Sequence, residues 1–346
     1  MYINYMLEQN KNIYVKYWIL LITILVSAMI VVGGLTRLTD SGLSITKWDL
    51  FTGIIPPINI KEWEFSFSLY KKIPEFQLLN SSMTLQEFKT IYWWEFIHRL
   101  LGRIIGLFFL IPLVFFTIKK MLSKKDLINL YLIFFLICFQ GLIGWYMVKS
   151  GLSERTDVSH YRLSIHLTIA FIIFIFLLSH YLKFKYLSLH IIGKKLPNNL
   201  GYFFLFLVLI QISIGAFVSG LDAGQIYQTW PLMNESYFPD DSKLSEIFSL
   251  KSFETPSLVQ FFHRNIAYLI IFIFIFILFL IYNNKDYEYL RKSALLIFCA
   301  LILQILLGIL AVISGAQIVI ASMHQIGSIF LVTATVILTF RNSKVN

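Results

Sequence analysis

The stretch Val259–Tyr282 reads VQFFHRNIAYLIIFIFIFILFLIY. Arg264 is its one charged residue, and beyond it Ile, Leu and Phe dominate. About 20 such residues, rising 1.5 Å each, cross a bilayer's hydrocarbon core as a helix. Seven further stretches read the same way, at 17–36, 96–118, 127–148, 162–182, 201–219, 293–313 and 317–340. The expected fold is therefore all-α: a polytopic membrane protein with eight transmembrane helices. The composition agrees. Of 346 residues 58% are hydrophobic and 14% charged, against roughly 25% charged in a soluble domain, and the mean hydropathy is +0.74. Soluble, disordered, collagen-like and disulfide-scaffold classes are excluded. Cys138 and Cys299 both sit in apolar runs, so no extramembrane disulfide framework is expected. The first apolar run lacks a small-residue cleavage site and is read as a span rather than a signal peptide.

Eight spans put both termini on one side, with the turns near 119–126, 183–200 and 283–292. That side carries 15 Lys and Arg but only Glu8, Asp126, Asp286 and Glu288 as acids, out of 29 basic and 19 acidic residues overall. The positive-inside rule places it in the cytoplasm. The net charge of +10 is thereby an orientation signal with attraction to anionic lipid, and nucleic acid is not an expected partner. The larger loops, 37–95 and 220–258, lie outside.

The chain repeats in two halves of four spans, 1–183 and 184–346. Phe96-Ile97-His98-Arg99 matches Phe261-Phe262-His263-Arg264, Gln140-x-x-x-Gly144 matches Gln304-x-x-x-Gly308, and Ser164-Ile165-His166 matches Ser322-Met323-His324. The offsets are 165, 164 and 158 residues. Four spans per half is an even number, so the halves point the same way, as tandem four-helix bundles related by a pseudo-two-fold along the membrane normal. A third Gln-x-x-x-Gly stands at Gln211 and Gly215. Its expected role is helix packing, the small residue for close approach and the amide for a bond across helices.

His98, His166, His263 and His324 lie inside spans near their outer ends, at repeat-matched positions. Ionisable groups at membrane depth are costly and point to function. Two histidines from two helices of a bundle make a haem site. Gly102, Ala170, Ala267 and Ser328 stand four residues after them, on the same helical face, where a porphyrin needs space. Zinc is disfavoured, because no Cys is near and three of the four lack a carboxylate. The exception is Glu95, three residues before His98, where the second half has Gln260. This suggests that the first half does chemistry while the second holds a fixed cofactor. A plain i,i+4 pair of Glu95 with Arg99 explains the spacing equally well. Arg37, Arg99, Arg103 and Arg264 near the same ends are candidate contacts for haem propionates, or else snorkel to head groups. His160 is expected to be solvated or interfacial in an outer loop.

The residues match a known family. Gly33-Gly34-Leu35-Thr36-Arg37-Leu38-Thr39 with Ser41-Gly42-Leu43-Ser44, Pro56-Pro57, the run from Met83 to Arg103, Gly220-Leu221-Asp222-Ala223-Gly224 and Thr229-Trp230-Pro231-Leu232-Met233 resemble the haem A synthase family. The resemblance is to the type 2 form of alphaproteobacteria and mitochondria and covers nearly the whole chain. It implies an oxidoreductase that converts the C8 methyl group of haem O to a formyl group, giving haem A for terminal oxidases. It further implies haem b held by His263 and His324, substrate haem between His98 and His166, and the family's glutamate at Glu95. A bacterial inner membrane follows from the same likeness. So do haem O synthase (protohaem farnesyltransferase), oxidase assembly factors and an electron partner of unknown kind. The outer-loop cysteine pair of some bacterial members is absent here. Two other classes share the histidines. A quinone-linked di-haem b electron carrier would hold two permanent haems, often at opposite membrane faces. A transporter would need a polar path through inner halves that are here Ile, Leu and Phe.

Overall fold

The computed structural model describes residues 2–49 and 52–345, the side chains of 2–12, 154 and 198 excepted. Its helices are α1 (Tyr2–Leu38), α2 (Ile60–Tyr70), α3 (Pro74–Leu78), α4 (Leu85–Ile118), α5 (Lys124–Glu154), α6 (His160–Lys185), α7 (Leu200–Gly220), α8 (Pro256–Asn283), α9 (Arg291–Ile313) and α10 (Ile318–Ser343), with short 3-10 turns between some of them. Among the described residues eight helical segments are long and apolar enough to cross a membrane, and the eight expected spans fall one on each. The protein is a multi-pass, all-helical membrane protein.

The helices α1, α4, α5 and α6 close one ring of neighbours, and α7, α8, α9 and α10 close a second. The two meet through α1 and α6 against α7 and α10. Ile19, Ile22, Phe109, Leu113, Phe171, Leu177, Phe204, Ile277 and Val332 belong to one continuous apolar core that fills the end of the bundle away from the histidines. Two local features hold this packing. Pro112 interrupts α4 and cannot donate to the carbonyl of Phe108. The Trp18 indole of α1 donates to that carbonyl instead, at 2.8 Å. Where α1 meets α10, Gln325 donates to Ile30 O at 2.8 Å. Its amide occupies the space beside Gly34, where an added Cβ would lie 1.6 Å from Oε1. Only glycine permits that approach.

α4 begins eleven residues before the expected span. Its first turn is fixed by a capping box: Glu87 N donates to Thr84 Oγ1 at 3.3 Å and Thr84 N donates to Glu87 Oε2 at 2.8 Å. The added turns carry Phe88 and Tyr92, which with Phe96 bury against Trp63, Phe67 and Tyr70 of α2. His98 is consequently well inside its helix, whereas His166, His263 and His324 lie within two turns of their helix starts. A small outer layer thus covers the N-terminal ring. At its centre Tyr70 donates to Glu75 Oε1 at 2.9 Å, and Asn80 donates to the same oxygen at 3.3 Å. Burial pushes the Glu75 carboxyl up to about 7.

His160 departs from expectation. It opens α6 and is buried, its ring against Tyr161 and Phe217, and its Cβ lies 2.7 Å from where Gly220 would carry one. The absence of a side chain at Gly220 lets α6 and α7 close over it.

Candidate functional site

In each ring the two histidines sit on helices that do not neighbour each other: α4 and α6 for His98 and His166, α8 and α10 for His263 and His324. They face one another across the bundle. The ring centroids of His98 and His166 are 6.4 Å apart at an interplanar angle of 61°. Those of His263 and His324 are also 6.4 Å apart, at 79°. One metal with a nitrogen about 2.0 Å away on each side would set two imidazole centroids about 6.3 Å apart. Both pairs therefore fit a bis-histidine iron. A bare ion would need further ligands, and among the described residues no group of three or more His, Cys, Asp or Glu could hold one. A porphyrin, which brings its own four nitrogens, is the group that this donor set suits.

The remaining two helices of each ring supply the walls. A Cβ on Gly33 of α1 would lie 3.1 Å from His98 Nε2, and one on Gly144 of α5 would lie 3.0 Å from His166 Cε1. Gly215 of α7 and Gly308 of α9 stand in the same relation to His263 and His324, both at 3.1 Å from Cε1. The three Gln-x-x-x-Gly motifs thus build the histidine seats, beyond general helix packing. Gln140 donates to the main-chain oxygen of His166 at 2.8 Å, and Gln211 to that of His263 at 3.0 Å. Gln304 rests its amide on Gly327, three residues beyond His324. Their recurrence on the span before a histidine was the signal available in the sequence.

Glu95 is buried and held on both oxygens. Oε2 accepts from Ser44 Oγ and from Ile45 N, each at 2.7 Å, and Oε1 accepts from Arg99 at 2.5 Å. The i,i+4 pair is therefore formed. Arg99 also donates to the carbonyls of Ile45 and Lys47, at 2.8 and 3.0 Å. In the other ring Gln260 and Arg264 both donate to the carbonyl of Tyr227, at 3.1 Å each. The loop after α1 presents an N–H to position 95, and the loop after α7 presents a C=O to position 260. The carboxylate and the amide each match the polarity of the main chain that they meet.

The four arginines grip loops. Arg37 donates to Asp40 at 2.7 Å, to Ser219 O at 2.8 Å and to Asp222 at 3.0 Å, tying the end of α1 to the end of α7. Arg103 donates to Asp49 O at 2.8 Å, and Arg264 also to Leu232 O at 3.1 Å. The Nε of Arg37, Arg99 and Arg264 is buried without a partner among the described residues. A cavity of about 230 Å³ opens beside Arg99, lined by Lys47, Trp48, Trp145 and Lys149 among others. Its charged lining residues are all basic, with Arg99 over the Trp48 ring and Lys149 over the Trp145 ring. Lys47, Lys149 and Trp145 escaped the sequence reading, because nothing in their spacing ties them to His98.

Residues 16–336 match the COX15-CtaA model, described as cytochrome oxidase assembly protein. The chain belongs to this family. It is 50% identical over 343 residues to a protein named heme A synthase from Pelagibacter ubique, covering 97% of this chain and 99% of the relative. It is 40% identical over 327 residues to the heme A synthase of Rickettsia africae, covering 94% and 96%. A third relative of that name, from Rickettsia bellii, is 41% identical over 322 residues, covering 92% and 95%.

Proposed function

We propose that the chain is the oxidoreductase that converts haem O to haem A, oxidising a ring methyl group to a formyl group within the membrane. The observation that carries the reading is the equal 6.4 Å spacing of two histidine pairs in a chain whose full-length relatives are named heme A synthase. In this reading the halves 1–183 and 184–346 are the substrate unit and the cofactor unit. His98 and His166 take haem O, and His263 and His324 hold haem b. Bound there, haem b supplies a one-electron redox centre beside the substrate site.

The chain's own residues do the rest. His98 and His166 fix the substrate ring between α4 and α6. The basic cavity formed by Lys47, Arg99 and Lys149 suits the carboxylates of a porphyrin edge. Arg37 and Arg264 carry unused Nε donors for the same purpose. Glu95 lies one turn before His98, and among the described residues its Oε1 has Arg99 as its one partner. Glu95 is the group that takes up a proton released in the oxidation or stabilises positive charge developing beside His98. The aromatic outer layer excludes water from above. The membrane is the bacterial inner membrane with both termini cytoplasmic, in line with the basic turns. Haem O then comes from a membrane prenyltransferase, and haem A passes to oxidase assembly.

The test is haem extraction from purified protein, with variants. The expected result is haem b together with haem O or haem A, loss of haem b in His263→Ala, and its retention in His98→Ala. Two haem b per chain and no conversion of haem O in membranes would replace this reading with the di-haem electron carrier.

A further inference from the structure

The cationic lining of the cavity beside Arg99 belongs to the N-terminal ring alone. It comes from three elements: Lys47 from the loop after α1, Arg99 from α4 and Lys149 from α5. The offset of 164 residues between Gly144 and Gly308 sets Trp145 and Lys149 against Ile309 and Ile313. Trp48 matches Trp230, which sets Lys47 against Thr229. The arginine alone is repeated, as Arg264. The two lysines have no counterpart in the other ring.

The cavity is placed for a molecule held by His98 and His166. Arg99 follows His98 in α4. Val148, in the cavity wall, stands one turn beyond Gly144, the seat of His166, about 6 Å further along α5. Lysines at a membrane edge usually snorkel apart, each to its own head group. These converge with Arg99 on one hollow of about 230 Å³. Among the described residues neither lysine has a carboxylate partner, and their ammonium groups rest over the rings of Phe65 and Trp145. The Arg99 side chain is 8% exposed, and its Nε has no partner among the described residues. Such a lining is complementary to carboxylates.

We propose that Lys47 and Lys149 are positioning residues that, with Arg99, hold the propionates of the substrate haem and so set the rotation of its ring about the line from His98 to His166, choosing which methyl groups face Glu95. The inference rests on reading that pair as the haem O site. Two axial ligands fix the iron and the plane of the ring, but they leave the ring free to turn about the line that joins them. The ring methyl groups of haem O are of two kinds: those that share a pyrrole with a propionate, the C8 methyl among them, and those that do not. Arg99 donates to Glu95 Oε1 at 2.5 Å. Propionates gathered at Arg99 therefore bring the first kind to the side of the carboxylate and turn the second kind away. The apolar tail, on the far half of the ring, distinguishes between the methyls of the first kind. A resident haem has no methyl to choose, in keeping with Thr229 and Ile313 at the matching positions.

The experiment titrates the purified full chain with haem O and with haem O dimethyl ester, whose two carboxylates are blocked. Wild type should bind the free acid about tenfold or more tightly than the diester, the scale of charge-assisted hydrogen bonds to two carboxylates. The double variant Lys47→Met, Lys149→Met should lose that preference by weakening the free acid alone. The double variant Lys47→Arg, Lys149→Arg keeps both charges and should keep the preference. Melting temperatures equal to wild type serve as the folding check. Ring rotation is read separately, from the hyperfine-shifted methyl proton signals of bound ferric haem O. Wild type should give one set and the methionine variant more than one. A methionine variant that keeps the acid-to-diester ratio overturns the proposal and leaves the lysines as head-group anchors. One that weakens both ligands equally assigns them to packing, and one that keeps a single unchanged set of methyl signals removes them from orienting the ring. If His98→Ala binds haem O as wild type does, the reading of that pair as the substrate site has failed first and takes the proposal with it.

Discussion

Gly144 and Gly141 lie one turn apart on α5 and make a controlled comparison. An added Cβ at position 144 would sit 3.0 Å from Cε1 of His166, whereas one at 141 would meet nothing within 4 Å. Carbon atoms rest at about 3.5–4.0 Å, so Gly144→Ala drives the imidazole back by about 0.5 Å or more. Metal–ligand distances tolerate about 0.2 Å, and the ring cannot yield sideways without losing the line to its partner 6.4 Å away. Both substitutions share the same intrinsic gain, about 1 kcal/mol of helix propensity for Ala over Gly. Any difference between them therefore reports on the histidine. Titrating haem O into each purified variant, followed by the low-spin absorption bands, should give a Kd raised about 10- to 100-fold for Gly144→Ala, the range for a disturbed ligand support. Gly141→Ala should match wild type within about twofold and melt no earlier. Equal binding by the two variants would refute the seat geometry, and equal loss by both would assign the effect to α5 packing.

Three further outcomes follow from the same geometry. Glu95→Gln should leave the haem of His263 and His324 in place while turnover falls about 10²-fold or more, read as a raised haem O to haem A ratio in membranes; near-normal haem A would leave Glu95 as the clamp on Ser44, Ile45 and Arg99 alone. The Glu75 carboxyl is raised from 4.5 to about 7 by burial, so the stability of the outer layer should be full at low pH, decline as pH rises through that window and level off above it. Glu75→Gln can keep the bond from Tyr70 and should flatten the slope, as followed by limited proteolysis of residues 60–84 between pH 5 and 8; an unchanged slope would assign the titration to another group. A reporter fused after Lys125 or Lys195 should read cytoplasmic and one within 60–80 external, and the reverse would overturn the charge-based orientation.

The eight spans were legible because a bilayer imposes a length on any helix that crosses it, and Val259–Tyr282 meets that length with its few polar residues gathered near one end. The outer turns of α4 were not. Hydropathy measures fitness for lipid, and Phe88 and Tyr92 are buried by Trp63 and Tyr70 instead, a partner that local pattern does not reveal. His160 was misplaced for the same reason, since its burial depends on Gly220 from another helix. The facing of His98 with His166 and of His263 with His324 was foreseeable, because a repeat states the same geometry twice.

What the sequence left open is what lies opposite a given face. Gln-x-x-x-Gly spacing puts an amide and a gap on one side of a helix, and only the packed bundle shows a histidine filling the gap. Glu95 and Gln260 share a register, yet whether that register meets an N–H or a C=O depends on the returning loop. These undetermined contacts are also where the halves diverge. The two rings share four glycine seats, two equal ring spacings and an arginine after His98 and after His263. The departures from the duplicate, Glu95 for Gln260 and Met29 for Gln211, both fall around His98. The carboxylate brings a charge one turn before His98, and the Met29 methyl group packs against Gly102 one turn after it. On the proposed function, that asymmetry separates a ring that keeps its haem from a ring that acts on one.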